Sequence, residues 1–260
     1  MHDLFTPGFK LLYDACREQS RIDSVGRMHL QSADGTIPHE LLHGYPVVFS
    51  NHMFPKKSEL DLVDLLDGHC PGLRIQVRRA SFESAGQYLT ERELEEVPMA
   101  DYLRGLRSAI GNQQSTVKYA GNQKLPSSVE QLLKMAAPVR GVVFEQPVFW
   151  LGGMGSATPL HKDSTDNFAF QICGTKRWIL FPVRDIPFLY MERPLQYTDF
   201  ATSQVDPKNP RLDRYPLYSN AKSVVVDVKA GEMLYLPAGW AHYVENVSMS
   251  LMVNYWVSRR

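Results

Sequence analysis

The second half of the chain, from about residue 140, is built of short β-prone runs separated by glycine and proline. Seven of these runs are candidate strands, at 148–151, 167–172, 177–181, 223–228, 232–236, 243–246 and 250–256. Many short strands bounded by turn residues are typical of an antiparallel sandwich or jelly roll. The pattern therefore predicts a mainly β fold for this half. A stretch at 184–222, rich in proline, aspartate and tyrosine, is too long for a hairpin and predicts a lid or binding loop.

The first 140 residues have a mixed α and β pattern. Strands are predicted at 46–49 and 73–78, and helices at 58–66, 98–106 and 127–133, with Ser58 as an N-cap. We therefore expect an α/β region over 1–140, packed on a barrel over 141–260 that carries the insertion 184–222. The two parts are expected to form one unit, because no linker separates them.

Composition excludes some classes of protein. The formal net charge is zero, which argues against a large surface that tracks phosphates, so nucleic acid is an unlikely partner. Three scattered cysteines are too few for a disulfide framework or a zinc site of paired cysteines. The first residues lack a basic segment followed by an apolar run, and no stretch is long enough to span a bilayer. A reducing, cytoplasmic compartment without membrane attachment is the expectation.

Two short motifs carry candidate metal ligands. His161 and Asp163 are two residues apart, so in a strand they face the same side, and His242 follows 79 residues after Asp163. Two imidazoles and one carboxylate form the facial triad that suits Fe(II) in oxygenases and leaves open coordination positions. Taken alone, the first pair is equally compatible with a surface histidine beside a solvated aspartate, and His242 with a hydrogen-bonded core residue.

A collinear series of motifs from Phe149 to Val257 adds to this reading. The series comprises Thr158-Pro159-x-His161-x-Asp163, Asn167-Phe168, Gln171-Ile172-x-Gly174-x-Lys176-Arg177, Leu180-Phe181-Pro182, Ser203-Gln204-Val205-Asp206, Tyr215-Pro216, the run 231–237, Trp240-x-His242 and Val253-Asn254-Tyr255-Trp256. It resembles the JmjC-type (cupin-like) Fe(II)/2-oxoglutarate-dependent oxygenases, and is especially similar to the group containing the hypoxia-inducible-factor asparaginyl hydroxylase. The resemblance is close over about two fifths of the chain, whereas residues 1–140 match only in general arrangement.

The resemblance implies a double-stranded β-helix in which His161, Asp163 and His242 are the metal ligands and catalytic residues. It also implies that 2-oxoglutarate and O₂ are cosubstrates. The residues that would bind 2-oxoglutarate are Lys176 and Thr158 at the far carboxylate, Asn167 and Asn254 as inward-facing amides, and Tyr119 from a segment upstream of the barrel. By composition alone, Lys176 could be an exposed strand lysine and Tyr119 an ordinary packed tyrosine. The tryptophans, including Trp150 and Trp256, are interpreted as core.

The implied reaction is oxidative decarboxylation of 2-oxoglutarate to succinate, coupled to hydroxylation of an unactivated C–H bond. An amino-acid side chain in a protein or peptide is the favoured substrate, and a free amino acid or a natural-product intermediate is the alternative. Demethylation of N-methyl-lysine, hydroxylation of a tRNA nucleoside and a non-catalytic binding module are weaker alternatives. The substrate-binding residues stay unknown, although 184–222 and parts of 75–125 should shape the mouth. The oligomeric state stays open; since only four residues follow Trp256, a dimer is expected to avoid the helices that relatives use after the last strand.

Overall fold

Two β-sheets facing each other form the centre of the protein. The computed structural model describes residues 24–30, 36–38, 42, 44–51, 54–70, 72–79, 94–112, 118–135, 137–192 and 201–258. The strands in these ranges are β1 (Gly26–His29), β2 (Val47–Ser50), β3 (Arg74–Arg79), β4 (Glu95–Pro98), β5 (Lys118–Lys124), β6 (Val148–Gly152), β7 (Ala157–Lys162), β8 (Asn167–Cys173), β9 (Thr175–Phe181), β10 (Met191–Glu192), β11 (Ala201–Ser203), β12 (Val224–Lys229), β13 (Glu232–Leu236), β14 (Ala241–Asn246) and β15 (Ser250–Trp256). The α-helices are α1 (Glu59–His69), α2 (Met99–Asn112) and α3 (Ser127–Leu132), and Val183–Phe188 and Pro216–Asn220 are 3₁₀ helices.

The larger sheet has the strand order β1-β2-β13-β8-β15-β6-β5-β3-β4, and the smaller has β10-β11-β7-β14-β9-β12. Neighbouring strands are antiparallel, apart from β1 with β2. Between the sheets, side chains of both pack into one apolar cluster that includes Trp150, Leu234 and Met252 from the larger sheet and Trp178 and Val226 from the smaller. This arrangement is the jelly roll that the strand pattern predicts, so the expected fold class is confirmed.

Both faces of the larger sheet are buried at its central strands β6, β8 and β15. Its outer face carries Phe168, Phe170 and Val253, which pack with residues of α1 and α2 such as Leu62 and Leu103. Because β8 is covered on both sides, all seven of its residues are buried and neither of its faces is exposed to solvent. The helices of the first half therefore stabilise the barrel from outside.

Most predicted elements are present with small shifts in their ends. All seven strands predicted after residue 140 form, as do the strands near 46–49 and 73–78 and the three helices. Ser58 caps α1, since its hydroxyl oxygen accepts a hydrogen bond from the Asp61 N–H at 3.2 Å. β1, β4, β5, β7, β10 and β11 were not predicted.

The division of the chain stays a prediction. β3 and β5 belong to the same sheet as β6, so the first half contributes strands to the barrel wall. The 184–222 insertion holds most of one 3₁₀ helix, β10, β11 and a second 3₁₀ helix, and its residues 193–200 lie outside the described ranges. None of the helices within the described ranges has the length and apolar character needed to cross a bilayer.

Gly174, in the turn between β8 and β9, is expected to be important for stability. Gly174 has φ +72, and a Cβ atom there would lie 2.0 Å from the Met249 carbonyl oxygen. Gly174→Ala should therefore lower the free energy of unfolding by roughly 2–5 kcal/mol, as left-handed strain and overpacking combine. Urea denaturation, monitored by circular dichroism, measures the loss in the free energy of unfolding.

Gly141→Ala is the matched control for this substitution. Gly141 has φ +80 but nothing within 4 Å of the added Cβ. The free energy of unfolding of Gly141→Ala should fall by only roughly 1–2 kcal/mol, because left-handed strain is its only cost. Equal losses at both glycines would show that the contact with the Met249 carbonyl is not the cause.

Candidate metal centre

The pairing of β7 with β14 brings His161 and His242 together. The two histidines are directly opposed in the antiparallel ladder, and their ring centroids lie 4.1 Å apart. Directly opposed residues project from the same face of a sheet. Here that face borders the space between the two sheets, which we call the lumen. Asp163 follows β7 by one residue, and candidate ligand atoms of the three residues all lie within 4.8 Å of one another. The structure thus brings the three predicted ligands into one cluster.

A bulge on β7 sets the register around this cluster. Thr158 is opposite Val244 and His161 is opposite His242, so three steps along β7 match two along β14. Pro159 lies in this irregular stretch, where its missing N–H is tolerated. Because of the bulge, Thr158 and His161 face the same side, although strict alternation would place them on opposite faces.

Both histidines are oriented by the backbone and are neutral. His161 Nδ1 lies 2.7 Å from the Pro159 carbonyl oxygen, and His242 Nδ1 lies 3.1 Å from the Trp240 carbonyl oxygen. Since a carbonyl only accepts, each Nδ1 carries the proton and leaves the Nε2 lone pair available to a metal. Burial lowers the pKa of both imidazoles, and burial together with the neighbouring His161 brings the pKa of His242 to about 3.

Asp163 is fixed from two directions. The Trp256 indole N–H donates to Asp163 Oδ2 at 3.2 Å, and the Gly239 N–H donates to the Asp163 backbone carbonyl at 2.9 Å. Asp163 Oδ2 also lies 4.0 Å from His242 Nε2. Trp256 was expected to be a core residue only, and its contact with a candidate metal ligand is a finding of the structure.

A buried ammonium group occupies the same lumen. Lys176 Nζ donates to the Tyr119 hydroxyl at 2.8 Å and to Asn246 Oδ1 at 2.5 Å, and the Lys176 side chain is fully buried. Within the described residues, no carboxylate lies within hydrogen-bonding distance of Nζ. Burial, with the positive charge of Arg78 in second place, lowers the pKa of Lys176 to about 7.

The other predicted cosubstrate residues also lie inside the barrel. Thr158 is buried, as are Asn167 and Asn254, whose amides are linked by a hydrogen bond of 2.8 Å from Asn254 Nδ2 to Asn167 Oδ1. Asn254 Oδ1 is buried without a partner among the described residues. An acceptor of this kind is suited to a bound water or ligand, because an unmade buried hydrogen bond is costly.

Sequence reasoning missed two residues of the lumen. Asn246 lies on β14 four residues after His242, an even spacing that places both side chains on one face of a strand. That spacing could have been read from the predicted strand at 243–246. Arg78 on β3 was not identifiable, since its place over the rings of Tyr119 and Trp150, 5.6 Å from each centroid, depends on tertiary packing.

The chain matches the family described as "Cupin-like domain" over residues 41–260. Its relatives include HSPB1-associated protein 1 of Rattus norvegicus, 36% identical over 115 residues, which are 44% of this chain and 24% of the relative. The bifunctional peptidase and (3S)-lysyl hydroxylase JMJD7 of Homo sapiens is 36% identical over 157 residues, 51% of this chain and 50% of the relative. The tRNA wybutosine-synthesizing protein 5 of Gallus gallus is 32% identical over 114 residues, 44% of this chain and 34% of the relative. The matched segments span about a quarter to a half of the length of these relatives. The resemblance inferred from the motifs is confirmed.

The contact between Trp256 and Asp163 predicts a metal-affinity effect. Trp256→Phe keeps an aromatic ring and removes the N–H that orients the carboxylate. We expect the affinity for a divalent metal to fall about 10- to 100-fold, the usual cost of losing a hydrogen bond to a ligand. Competition titration with Co(II) measures this affinity.

Trp150→Phe is the matched control, because the Trp150 indole N–H is buried without a partner among the described residues. Its metal affinity should stay at the wild-type value. An unchanged affinity in Trp256→Phe would rule out the orienting role.

Proposed function

Because the chain belongs to the cupin-like domain family, we propose that it is an Fe(II)- and 2-oxoglutarate-dependent dioxygenase that hydroxylates an unactivated C–H bond. The observation that carries this proposal is the presence of two complementary features in one lumen. A cluster of two neutral imidazoles and one carboxylate lies at one level, and a buried ammonium bonded to neutral oxygens lies at another. The first suits a metal and the second suits an anion.

The ligand set fits Fe(II). His161, Asp163 and His242 offer one face of a coordination sphere, and the described residues add no fourth histidine, cysteine or acidic side chain to the cluster. A structural zinc site would normally be closed by four protein ligands, whereas a facial triad leaves positions for a chelating cosubstrate and O₂. The neutral state of both buried histidines is the state that binds a metal.

The ammonium fits the far carboxylate of 2-oxoglutarate. His242 and Asn246, the partner of Lys176, are four residues apart on β14, which corresponds to about 13 Å of strand. Lys176 Nζ bonds to Asn246 Oδ1 at the far end of this interval, and we propose that a five-carbon dicarboxylate bridges the metal and Nζ. Thr158, Tyr119, Asn167 and Asn254 add polar groups to the buried walls, and a charge-assisted hydrogen bond in such surroundings is strong.

With iron and 2-oxoglutarate bound, the site would couple decarboxylation of 2-oxoglutarate to succinate with oxidation of a substrate C–H bond. The chain's own residues would hold the metal and the cosubstrate, and other residues orient these binding groups. Trp256 fixes the Asp163 carboxylate, the Pro159 and Trp240 carbonyls fix the imidazoles, and the apolar walls of the lumen exclude water.

We propose an amino-acid side chain in a protein or peptide as the substrate. The relative JMJD7 is named a lysyl hydroxylase, and HSPB1-associated protein 1 is named for association with a protein. A tRNA nucleoside is the second candidate, because another relative is named a tRNA wybutosine-synthesizing protein. The zero net charge of the chain favours the first candidate. A cytoplasmic location stays a prediction.

Anaerobic titration tests the reaction class. Adding Fe(II) and then 2-oxoglutarate should produce the weak visible charge-transfer band of the chelated metal. His161→Ala should abolish the band, while His69→Ala, at the exposed end of α1, should leave it intact. Binding of neither Fe(II) nor 2-oxoglutarate by the wild type would defeat the proposal.

Cosubstrate turnover tests the substrate class. Succinate formation from 2-oxoglutarate should be stimulated by a peptide pool in the wild type and absent in His161→Ala. Free amino acids and unmodified or hypomodified tRNA serve as parallel arms. Stimulation by tRNA alone or by free amino acids alone would exclude the protein-residue substrate.

A further inference from the structure

Asn246 is buried at the centre of a small hydrogen-bond network. It lies directly opposite Lys176 in the ladder of β14 and β9, and its Oδ1 accepts from the Lys176 ammonium at 2.5 Å. Oδ1 also accepts from the Ser250 hydroxyl at 3.1 Å. Both Asn246 and Ser250 are almost completely buried.

The other end of the amide fixes its orientation. Asn246 Nδ2 donates to the backbone carbonyls of Gly152 and Gly153, at 3.0 Å and 3.2 Å. A flipped amide would direct its oxygen at two carbonyl oxygens and its NH₂ group at an ammonium, so both ends would be repelled. The two carbonyls at the end of β6 therefore orient the amide so that Oδ1 faces Lys176.

The second acceptor of the ammonium is also held in place by the backbone. Tyr119 on β5 is opposite Gly152 on β6, and a Cβ atom on Gly152 would lie 2.5 Å from the Tyr119 ring. The missing side chain of Gly152 lets the ring lie against the strand, with its hydroxyl 2.8 Å from Lys176 Nζ. Gly152 thus supports both neutral acceptors of the ammonium.

Neutral acceptors have a specific electrostatic consequence. An amide oxygen and a phenol oxygen stabilise an ammonium through their dipoles, but they do not cancel its charge. A carboxylate at the same distance would form an internal ion pair and compete with an incoming anion. An ammonium has three N–H donors, and these two bonds leave one for a ligand.

We propose that Asn246 is a positioning residue that holds the Lys176 ammonium charged and uncompensated, so that it binds the far carboxylate of 2-oxoglutarate. This inference rests on the proposed function, because it assigns a role within the proposed cosubstrate site. The charged and titratable groups facing Lys176 from the neighbouring strands are Arg78 on β3 and Tyr119 on β5. The lowered pKa of Lys176 is consistent with a charge that only dipoles support.

Two substitutions that alter the acceptor in opposite directions test the role. Affinity for 2-oxoglutarate is measured by calorimetry on the Mn(II)-loaded protein without O₂, from pH 6 to pH 8.5. In the wild type, binding requires charged Lys176, so affinity should fall as the pH rises above about 7.

Asn246→Asp supplies an internal counter-ion. We expect 2-oxoglutarate affinity to fall about 100-fold, with little pH dependence across the range, because the ion pair keeps Lys176 charged but occupied. Asn246→Leu removes the acceptor. We expect an affinity about 10- to 100-fold lower at pH 7.5 that partly recovers at pH 6, since the Lys176 pKa falls further.

Mn(II) affinity is measured for each protein, and Asn112→Asp at the exposed end of α2 is the matched control. Wild-type metal affinity together with opposite shifts of the two pH profiles supports the positioning role. Unchanged 2-oxoglutarate affinity and pH profiles in both variants would overturn it, as would loss of Mn(II) binding in both, which would make Asn246 a structural residue. Failure of the wild type to bind 2-oxoglutarate would instead refute the proposed function.

Discussion

The antiparallel register of β7 against β14 is the constraint on which the candidate site depends. It places His161 opposite His242 with both rings in the lumen. A slip of one residue would turn one of the imidazoles to the outer face, because side chains alternate along a strand. The backbone contacts at Pro159 and Trp240 then orient the rings, so the ladder sets the distance and local hydrogen bonds set the direction.

Burial gives these groups their chemical character. Desolvation alone disfavours charge, and it acts on the imidazoles and on Lys176 in the same direction. The consequences differ because the neighbours differ. Neutral imidazoles are metal ligands, whereas Lys176 has Tyr119 and Asn246 to support an ammonium. The histidine cluster and the Lys176 ammonium therefore differ in character because different hydrogen-bond acceptors surround them.

Much of the fold could be predicted because most barrel strands are short, apolar and separated by turn residues. β7 was missed although it carries His161, since Pro159 interrupts the run and argues against a strand. In the structure the proline lies at the bulge, which sequence periodicity cannot represent. Site residues in motifs were found. For Asn246 the sequence carries only the even spacing from His242, which places it on the same face but does not reveal its contact with Lys176. Arg78 has no local signal, because its place depends on contacts between strands distant in sequence.

The first half of the chain is part of the candidate site as well as a support for it. Tyr119 on β5 reaches the Lys176 ammonium because β5 continues the larger sheet beyond β6 and Gly152 leaves room for its ring. α2 contacts both strands through the Tyr102 hydroxyl, whose single proton is shared between the Lys118 carbonyl of β5 at 3.1 Å and the Leu151 carbonyl of β6 at 2.9 Å. A change in the packing of α2 on the sheet would therefore reach the ammonium through Tyr119. The packing of α2 is thus connected to the proposed cosubstrate site through β5, which contacts Tyr102 on one side and carries Tyr119 on the other.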